Sequence, residues 1–541
     1  MARHRHAVAT AALAALPLAA LALFFVYPVA GMVARGFVPD GRFEPGAVLE
    51  VLTRSRVHRV LWFTLWSAAA GTLLSLLLGL PTAYALHRLR FPGRDLLRAV
   101  VVVPFVLPTV VVGVAFRQLI APSGPLGGLG LDGSAVAIVA ALAFFNVSVV
   151  VRTVGTFWES LDPRREEAAA ALGASPWQVL RTVTLPALRP GIVSAASVVF
   201  LFCSTAFGVV LTLGGLRYAN VETEIYLLTT QELDLTAAAA LSVLQLLVVT
   251  ALLALAARAR RSPPLVRTAR PLPRPRWGHA PVLLWTALTL VLLLAPLVSL
   301  VAASLRRGED WGLANYRALG TTGADNALLV PVTEALVTSL EVALVAALLA
   351  LALGSVVAFL VSRPGGGRPR QLLDGVFMLP LGVSAVTVGF GFLVTLDRPP
   401  LDLRSSSLLI PVAQAMVALP LVVRTVAPVL RSVDDRQRQA ASSLGAGPLR
   451  VLATVDLPAA WRALLAAAGF GFAVSLGEFG ATSFLARDDD PTLPVVIYRL
   501  IGRPGAENFG MAMAASVVLA ATTTAVMLAV QRLRGGSVGA L

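Results

Sequence analysis

The sequence predicts an all-α polytopic membrane protein with about 12 transmembrane helices in two parallel six-helix repeats. Three observations carry this. The 541-residue chain is 57% hydrophobic and only 13% charged, where a soluble domain carries about 25% charged residues. The apolar residues lie in long runs, so they read as spans rather than as one large soluble core. A polar-rich segment recurs at a constant offset of 272 residues, each copy between apolar runs.

Taken in order, the first half gives spans near 11–34, 59–86, 98–119, 135–155, 189–213 and 236–257. The second half gives spans near 280–303, 333–361, 372–396, 405–429, 461–485 and 509–531. At 1.5 Å per residue, about 20 residues cross ~30 Å of hydrocarbon. The chain begins like a secretory signal, with Arg3 and Arg5 before an apolar stretch. That stretch outruns a signal's apolar region and is read as a retained first span. Residues 258–279 are rich in Pro and Arg and lack acids; they are the expected linker, since proline at that density prevents a regular helix. The expected domains are therefore 1–257 and 280–541, joined by 258–279.

Basic residues set the orientation. All are arginine or histidine, with no lysine in the chain, and the net charge of +15 reflects arginines gathered in short loops. Arg88, Arg90, Arg94, Arg98, Arg164, Arg165, Arg181, Arg363 to Arg370, Arg532 and Arg534 fall on one side, with the N-terminus and the linker. By the positive-inside tendency that side is the cytoplasm, which places both termini there in a plasma (inner) membrane. The opposite loops are richer in acid: Glu222, Glu224, Glu232, Asp234 and Asp488 to Asp490. The loop with Arg42, Arg54, Arg56 and Arg59 conflicts with this assignment. The basic balance fits topology, so a nucleic-acid partner is not expected; the bilayer is.

The internal repeat holds one register over nearly 120 residues. Leu107-Pro108 matches Leu379-Pro380, Arg152-Thr153-Val154 matches Arg424-Thr425-Val426, Phe207-Gly208 matches Phe479-Gly480, and Ile225-Tyr226 matches Ile497-Tyr498. Six spans per half make the copies face the same way, a parallel repeat. Within it, EAAAALGASPWQVLRTVTLP from Glu167 to Pro186 corresponds to QAASSLGAGPLRVLATVDLP from Gln439 to Pro458. Asp162 suits a helix cap and Pro163 a first turn. Glu166 and Glu167 complement the helix dipole. Gly173 permits a sharp turn. Ser175-Pro176 restarts a short helix, and Pro186 is expected to stop it before the next span. In the second copy Ser432 to Asp435 take the capping role, Gly445 the turn and Pro458 the stop. An ordinary interfacial amphipathic helix explains one copy; it does not explain two in register.

This pattern resembles the EAA loop of type I ABC importer permeases, which forms a coupling helix that enters a cleft on a cytoplasmic ATPase. The matching residues are Glu167, Ala168, Ala169, Gly173, Val183, Leu185 and Pro186, then Gln439, Ala440, Ala441, Gly445, Val455, Leu457 and Pro458. Gln439 departs from the pattern's Glu. A fused double unit is similar to the permeases for thiamine and for ferric iron. FPGRDLLR at 91–98, AFFN at 143–146, LTLGGLRYANVETEIY at 211–226 and SLGEFGATSFLARDDDPTLPVVIYRLIG at 475–502 lean toward thiamine, with ferric iron close behind. The resemblance implies two ABC ATPase subunits, an extracytoplasmic substrate-binding protein, and ATP used by the partners rather than bound by this chain.

Polar groups within spans are costly and either line a path or join helices. Glu478, with Ser475 and Thr482, is a candidate to meet a cationic substrate, against the alternative of a structural carboxylate. Phe207 and Phe479 are candidates for packing or an apolar gate, and Asn146 for interhelical bonding. No Walker A pattern is present, the histidines lack zinc spacing, and Cys203 stands alone, so neither catalytic residues, a metal site nor a cofactor is expected. The rival readings are a twelve-span secondary transporter and a membrane scaffold. The first needs coupling carboxylates in several spans, and only Glu478 and Glu341 come near.

Overall fold

A computed structural model describes residues 13–38, 45–215, 217–259, 272–363, 368–397 and 401–533. Residues 260–271 of the expected linker lie outside them. Among the described residues the fold is helical, with one small antiparallel hairpin, β1 (Arg306–Arg307) and β2 (Asp310–Trp311). The first half runs α1 (Leu13–Phe37), α2 (Ser55–Arg88), α3 (Arg94–Val106), α4 (Thr109–Ile120), α5 (Ala135–Glu159), α6 (Arg164–Ala171), α7 (Pro176–Ser204), α8 (Gly208–Gly214), α9 (Val221–Thr230) and α10 (Leu235–Ala259). The second half repeats the series. It runs α11 (Ala280–Ser304), α12 (Val332–Ser362), α13 (Arg368–Met378), α14 (Ala385–Thr395), α15 (Leu409–Ser432), α16 (Asp435–Ser443), α17 (Pro448–Leu476), α18 (Thr482–Leu485), α19 (Leu493–Ile501) and α20 (Ala506–Leu533).

Ten helices among the described residues are long and apolar enough to cross a bilayer, or eleven if a bent pair counts as one. Two of the expected spans, at equivalent places, are broken rather than continuous helices. The span expected at 98–119 is α3 and α4, bent by 103°. Leu107 there is extended (φ −68°, ψ 140°), because proline clashes with a helical residue before it. The span expected at 372–396 is α13 and α14, interrupted by a 3₁₀ turn over Leu379–Gly382. The repeated Leu-Pro thus marks a break in each half. The spans expected at 189–213 and 461–485 also stop short, α7 ending at Ser204 and α17 at Leu476.

Chain contacts define two compact units that do not follow the halves of the sequence. One comprises the described residues of Met1–Leu52, Ile225–Val243 and Ser304–Leu541; the other comprises Thr53–Glu224 and Leu244–Ala303. Helix α1 therefore belongs with the spans of the second half, and α11 with those of the first. In the first unit Leu21 and Phe25 of α1 enter a core with Ala350, Phe377, Phe392 and Met416, and the rings of Phe24 and Phe392 lie 6.4 Å apart. In the other unit Trp285 Nε1 of α11 donates to the Leu77 carbonyl of α2 at 3.1 Å.

Small residues set the helix crossings, as expected where lipid supplies no hydrophobic drive between helices. The buried face of α2 carries Ser67, Gly71, Ser75, Gly79 and Thr82, and α5 packs on it. A Cβ on Gly79 would lie 2.7 Å from Val150 of α5, and one on Gly354 of α12 would lie 2.8 Å from Val422 of α15. Val150 and Val422 are repeat equivalents. Ser75 and Thr82 donate to the carbonyls of Gly71 and Leu78 at 2.7 Å, so their hydroxyls stay paired within the helix.

The acids assigned to outer loops need a partial correction. Glu222 and Glu224 are buried in α9 rather than exposed. Burying a carboxylate requires a partner. Arg56 supplies one for Glu224, at 2.6 and 3.1 Å, and Gln245 donates to Glu222. The arginine that conflicted with the charge rule thus has a structural employment.

Candidate docking site and translocation pathway

Each repeated segment folds as a helix, a tight turn and the start of a span. In the first, the Asp162 carboxylate accepts from Arg164 N at 3.0 Å and opens α6. The helix closes at Gly173, whose φ of +86° favours glycine. Gly173 N donates to Ala170 O at 3.0 Å and Ala174 N to Ala169 O at 3.1 Å, a Schellman closure. Gly445 (φ +84°) repeats it, with Gly445 N on Ser442 O and Ala446 N on Ala441 O, both at 3.0 Å. Asp434 caps α16 through Arg436 N at 2.9 Å. Ser175 and Gln178 form a reciprocal capping box at the start of α7.

The expected stops at Pro186 and Pro458 do not occur. The second helix continues through a π-turn, Leu180–Thr184 or Leu452–Asp456, directly into the span. Leu185 N donates to Leu180 O, five residues back, and Pro186 follows where the ladder shifts register. Proline has no N–H to lose there, so it is tolerated.

Glu167, Ala168, Gly173, Leu185 and Pro186 are exposed, as are Gln439, Ala440, Gly445, Leu457 and Pro458; Ala169 and Ala441 are half-buried. The most exposed apolar side chains of the two segments were not singled out from sequence. Leu172 is 90% exposed and Trp177 66%; their repeat equivalents Leu444 and Leu449 are 89% and 80%. The signal was available, since large apolar residues at one register inside a polar insert are out of place unless something covers them.

Beneath this surface lies a second feature that sequence comparison missed. Glu166 accepts from Arg88 at 2.5 Å and from Thr184 Oγ1 at 2.9 Å. At the equivalent positions stand Arg438 and Asp456, which pair at 2.8 Å. Arg438 also bonds Asp435 at 2.6 Å and the Leu430 carbonyl at 2.8 Å, and Arg363 reaches Asp456 at 2.8 Å. Burial pulls the Arg438 guanidinium down, but hydrogen bonds and the charges of Asp456 and Asp435 outweigh it and hold it above its ordinary range. For Arg363 burial dominates and leaves it below that range, although Asp456 works against the shift. Matching identities between the halves do not register these positions, because the acid Glu166 is replaced by the base Arg438.

The pathway candidates are all buried. Both oxygens of Glu478 are engaged by the chain that follows it: Oε1 accepts from Ala481 N at 2.7 Å, and Oε2 from Thr482 N at 3.0 Å and Thr482 Oγ1 at 2.5 Å. The carboxylate thus caps α18 and fixes the break after α17. Gln414 of α15, which sequence reasoning missed, donates to Thr482 Oγ1 at 3.1 Å. Ser475 lies buried in the last turn of α17. In the first half the positions of Gln414, Ser475, Glu478 and Thr482 are taken by Leu142, Cys203, Ala206 and Val210, so this polar cluster belongs to the second half alone. Phe207 and Phe479 stand buried at the two equivalent breaks, Phe479 against the Tyr498 ring at 5.6 Å. Asn146 joins α5 to α7 through Cys203 Sγ at 3.4 Å. Among the described residues no group of His, Cys, Asp and Glu has a metal-holding arrangement.

Comparison with known proteins follows the repeat. The family described as binding-protein-dependent transport system inner membrane component matches residues 71–262 and again 350–535. The thiamine transport system permease protein ThiP of Escherichia coli (strain K12) is 28% identical over 83% of this chain and 84% of its own length. That of Brucella abortus (strain 2308) is 27% identical over 88% and 87%. The sulfate transport system permease protein CysT of Escherichia coli (strain K12) is 35% identical over 36% of this chain and 73% of its own. A bacterial ABC transporter involved in import of the acidic polysaccharide alginate aligns with TM-score 0.39 and 17% identity, over 44% of this chain and 91% of that one. The two family matches cover more than half of the sequence and contain one docking segment each, so the chain belongs to the binding-protein-dependent inner membrane permeases of ABC importers and carries the family's domain twice.

Proposed function

We propose that this chain supplies the two membrane-spanning domains of an importer for thiamine, driven by two cytoplasmic ATPase subunits and fed by an extracytoplasmic binding protein. The carrying observation is the pair of docking hairpins. Each presents two large exposed apolar side chains at one register, Leu172 with Trp177 and Leu444 with Leu449. Such side chains on a polar hairpin call for a partner surface that covers them. Two equivalent hairpins call for two partner sites, on the side where arginine accumulates. Glu167, Ala168, Ala169, Gly173, Leu185 and Pro186, with Gln439, Ala440, Ala441, Gly445, Leu457 and Pro458, form or support that contact. Thiamine is favoured by the similarity to thiamine permeases along most of the chain. The second-half polar cluster of Gln414, Ser475, Glu478 and Thr482 is the first place to look for its route, with Phe207, Phe479 and Asn146 as flanking candidates.

The test combines assembly with uptake. The chain is co-expressed with the ATPase, purified, and reconstituted with the binding protein in vesicles that report uptake of labelled thiamine or ferric iron. Gly173→Val and Gly445→Val should each weaken co-purification of the ATPase and abolish most uptake, because a β-branched residue is strained at positive φ. Full assembly and uptake in both variants would remove the docking assignment. Iron uptake in place of thiamine would move the substrate and leave the docking intact.

A further inference from the structure

The clusters beneath the docking hairpins each join three elements, one of them distant along the chain from the other two. In the first half, Glu166 belongs to α6, Thr184 to the π-turn at the foot of α7, and Arg88 to the last turn of α2. In the second half, Arg438 belongs to α16, Asp456 to the π-turn at the foot of α17, and Arg363 follows the end of α12. Arg438 also bonds the Leu430 carbonyl at the end of α15. Glu166 and Arg438 are repeat equivalents, as are Thr184 and Asp456, yet the polarity is reversed. The arginine from the long span comes from non-equivalent positions, 88 and 363. The junction has therefore been built twice from different side chains, and what the halves share is its geometry.

A neighbouring pair is reversed in the same sense. Glu159, which ends α5, bonds Arg98 of α3 at 2.6 Å. Its equivalent Arg431 in α15 faces Asp374 of α13 at 3.7 Å.

We propose that Arg88, Glu166 and Thr184 in one half, and Arg363, Arg438 and Asp456 in the other, are positioning residues of transport. They bind each docking helix to the foot of one span and the end of another, so that displacement at the docking surface moves both spans as one body. The proposal rests on the docking function above. It assigns these residues no contact with the ATPase; Leu172, Trp177, Leu444 and Leu449 keep that role. Two stapled elements displace together because a buried charge separated from its partner is costly. Without the staple the docking helix keeps its chain connection to the span through the π-turn.

The experiment measures thiamine uptake and ATP hydrolysis in the same vesicles, using the full chain with its ATPase and binding protein. Glu166→Gln, Thr184→Val and Asp456→Asn should leave ATPase co-purification and hydrolysis unchanged while uptake per ATP falls about fivefold or more, the lower end of ordinary coupling between sites. The exchange Glu166→Arg with Arg88→Glu should restore uptake per ATP, since it rebuilds the pair with its two charges swapped. Uptake and hydrolysis falling in proportion, an unchanged ratio in the single variants, or an exchange no better than Glu166→Gln alone would each overturn the proposal. Should Asp456→Asn fail to insert, Glu166→Gln and Thr184→Val decide the matter, since Glu166 and Arg88 are partly exposed and Thr184 carries no charge. An unaltered chain that bound no ATPase would overturn the docking function itself. An unaltered chain that couples normally beside equally coupled variants would overturn only the staple.

Discussion

At the scale of single residues, Glu478 shows how a sequence signal changes meaning once its partners are known. An acid in an apolar span reads as a pathway group, because leaving it unpaired there is costly. Its carboxylate is instead met by the N–H groups of Ala481 and Thr482 and the Thr482 hydroxyl. Replacing it by Ala leaves those buried donors without an acceptor and should cost about 1–3 kcal/mol, read as a lower melting temperature in detergent. A group that only touches substrate would change uptake with stability untouched, and that result would leave Glu478 a pathway group without the structural role. The glycines of the docking turns were legible for a different reason. Gly173 and Gly445 sit where a helix must reverse, and a repeated glycine at a helix end has few other physical uses. The pairs Glu166–Arg88 and Arg438–Asp456 were not legible, because Arg88 lies 78 residues from Glu166 and the position of Glu166 carries the opposite charge in the second half.

At the scale of elements, hydropathy found nearly every span but not its course. A window of apolar residues is blind to the 103° bend between α3 and α4. The repeated Leu-Pro marks homology between the halves, and its proline also disfavours a helical residue before it, which is where the chain bends. The proline that was expected to break a helix, Pro186, sits instead in a continuous one. Proline's consequence depends on which N–H the ladder needs, and a π-turn just before it changes that count. The crossings of α2 with α5 and of α12 with α15 depend on the small side chains between them. Gly79→Leu should therefore push Val150 away, since a Cβ alone would lie 2.7 Å from it. Overpacking of this kind costs about 1–3 kcal/mol and is measured as reduced yield and melting temperature. Leu77→Ala, at an exposed position of the same helix, is the control and should be nearly neutral.

At the scale of the whole molecule, the repeat in sequence and the partition in space are different divisions. The duplication was legible from the constant offset, but no local pattern tells an apolar helix which bundle it will join. Leu21 and Phe25 of α1 resemble those of any span, and their burial with second-half residues is a tertiary fact. This has a consequence for cutting the chain. A protein expressed as residues 1–259 and 272–541 has each piece holding a helix that belongs to the compact unit built mainly by the other. The two pieces should purify together through a tag on either one, and recovery of each piece alone as a well-folded species would contradict that partition. The π-turns Leu180–Thr184 and Leu452–Asp456 have a consequence of another kind. A straight helix advances about 100° per residue, so one extra residue in a turn shifts the phase of everything beyond it. Each docking face is thereby set against its span like the bit of a key against its shaft. Removing a single residue from either turn would keep the helix and rotate the bit, leaving a well-made key cut for a different lock.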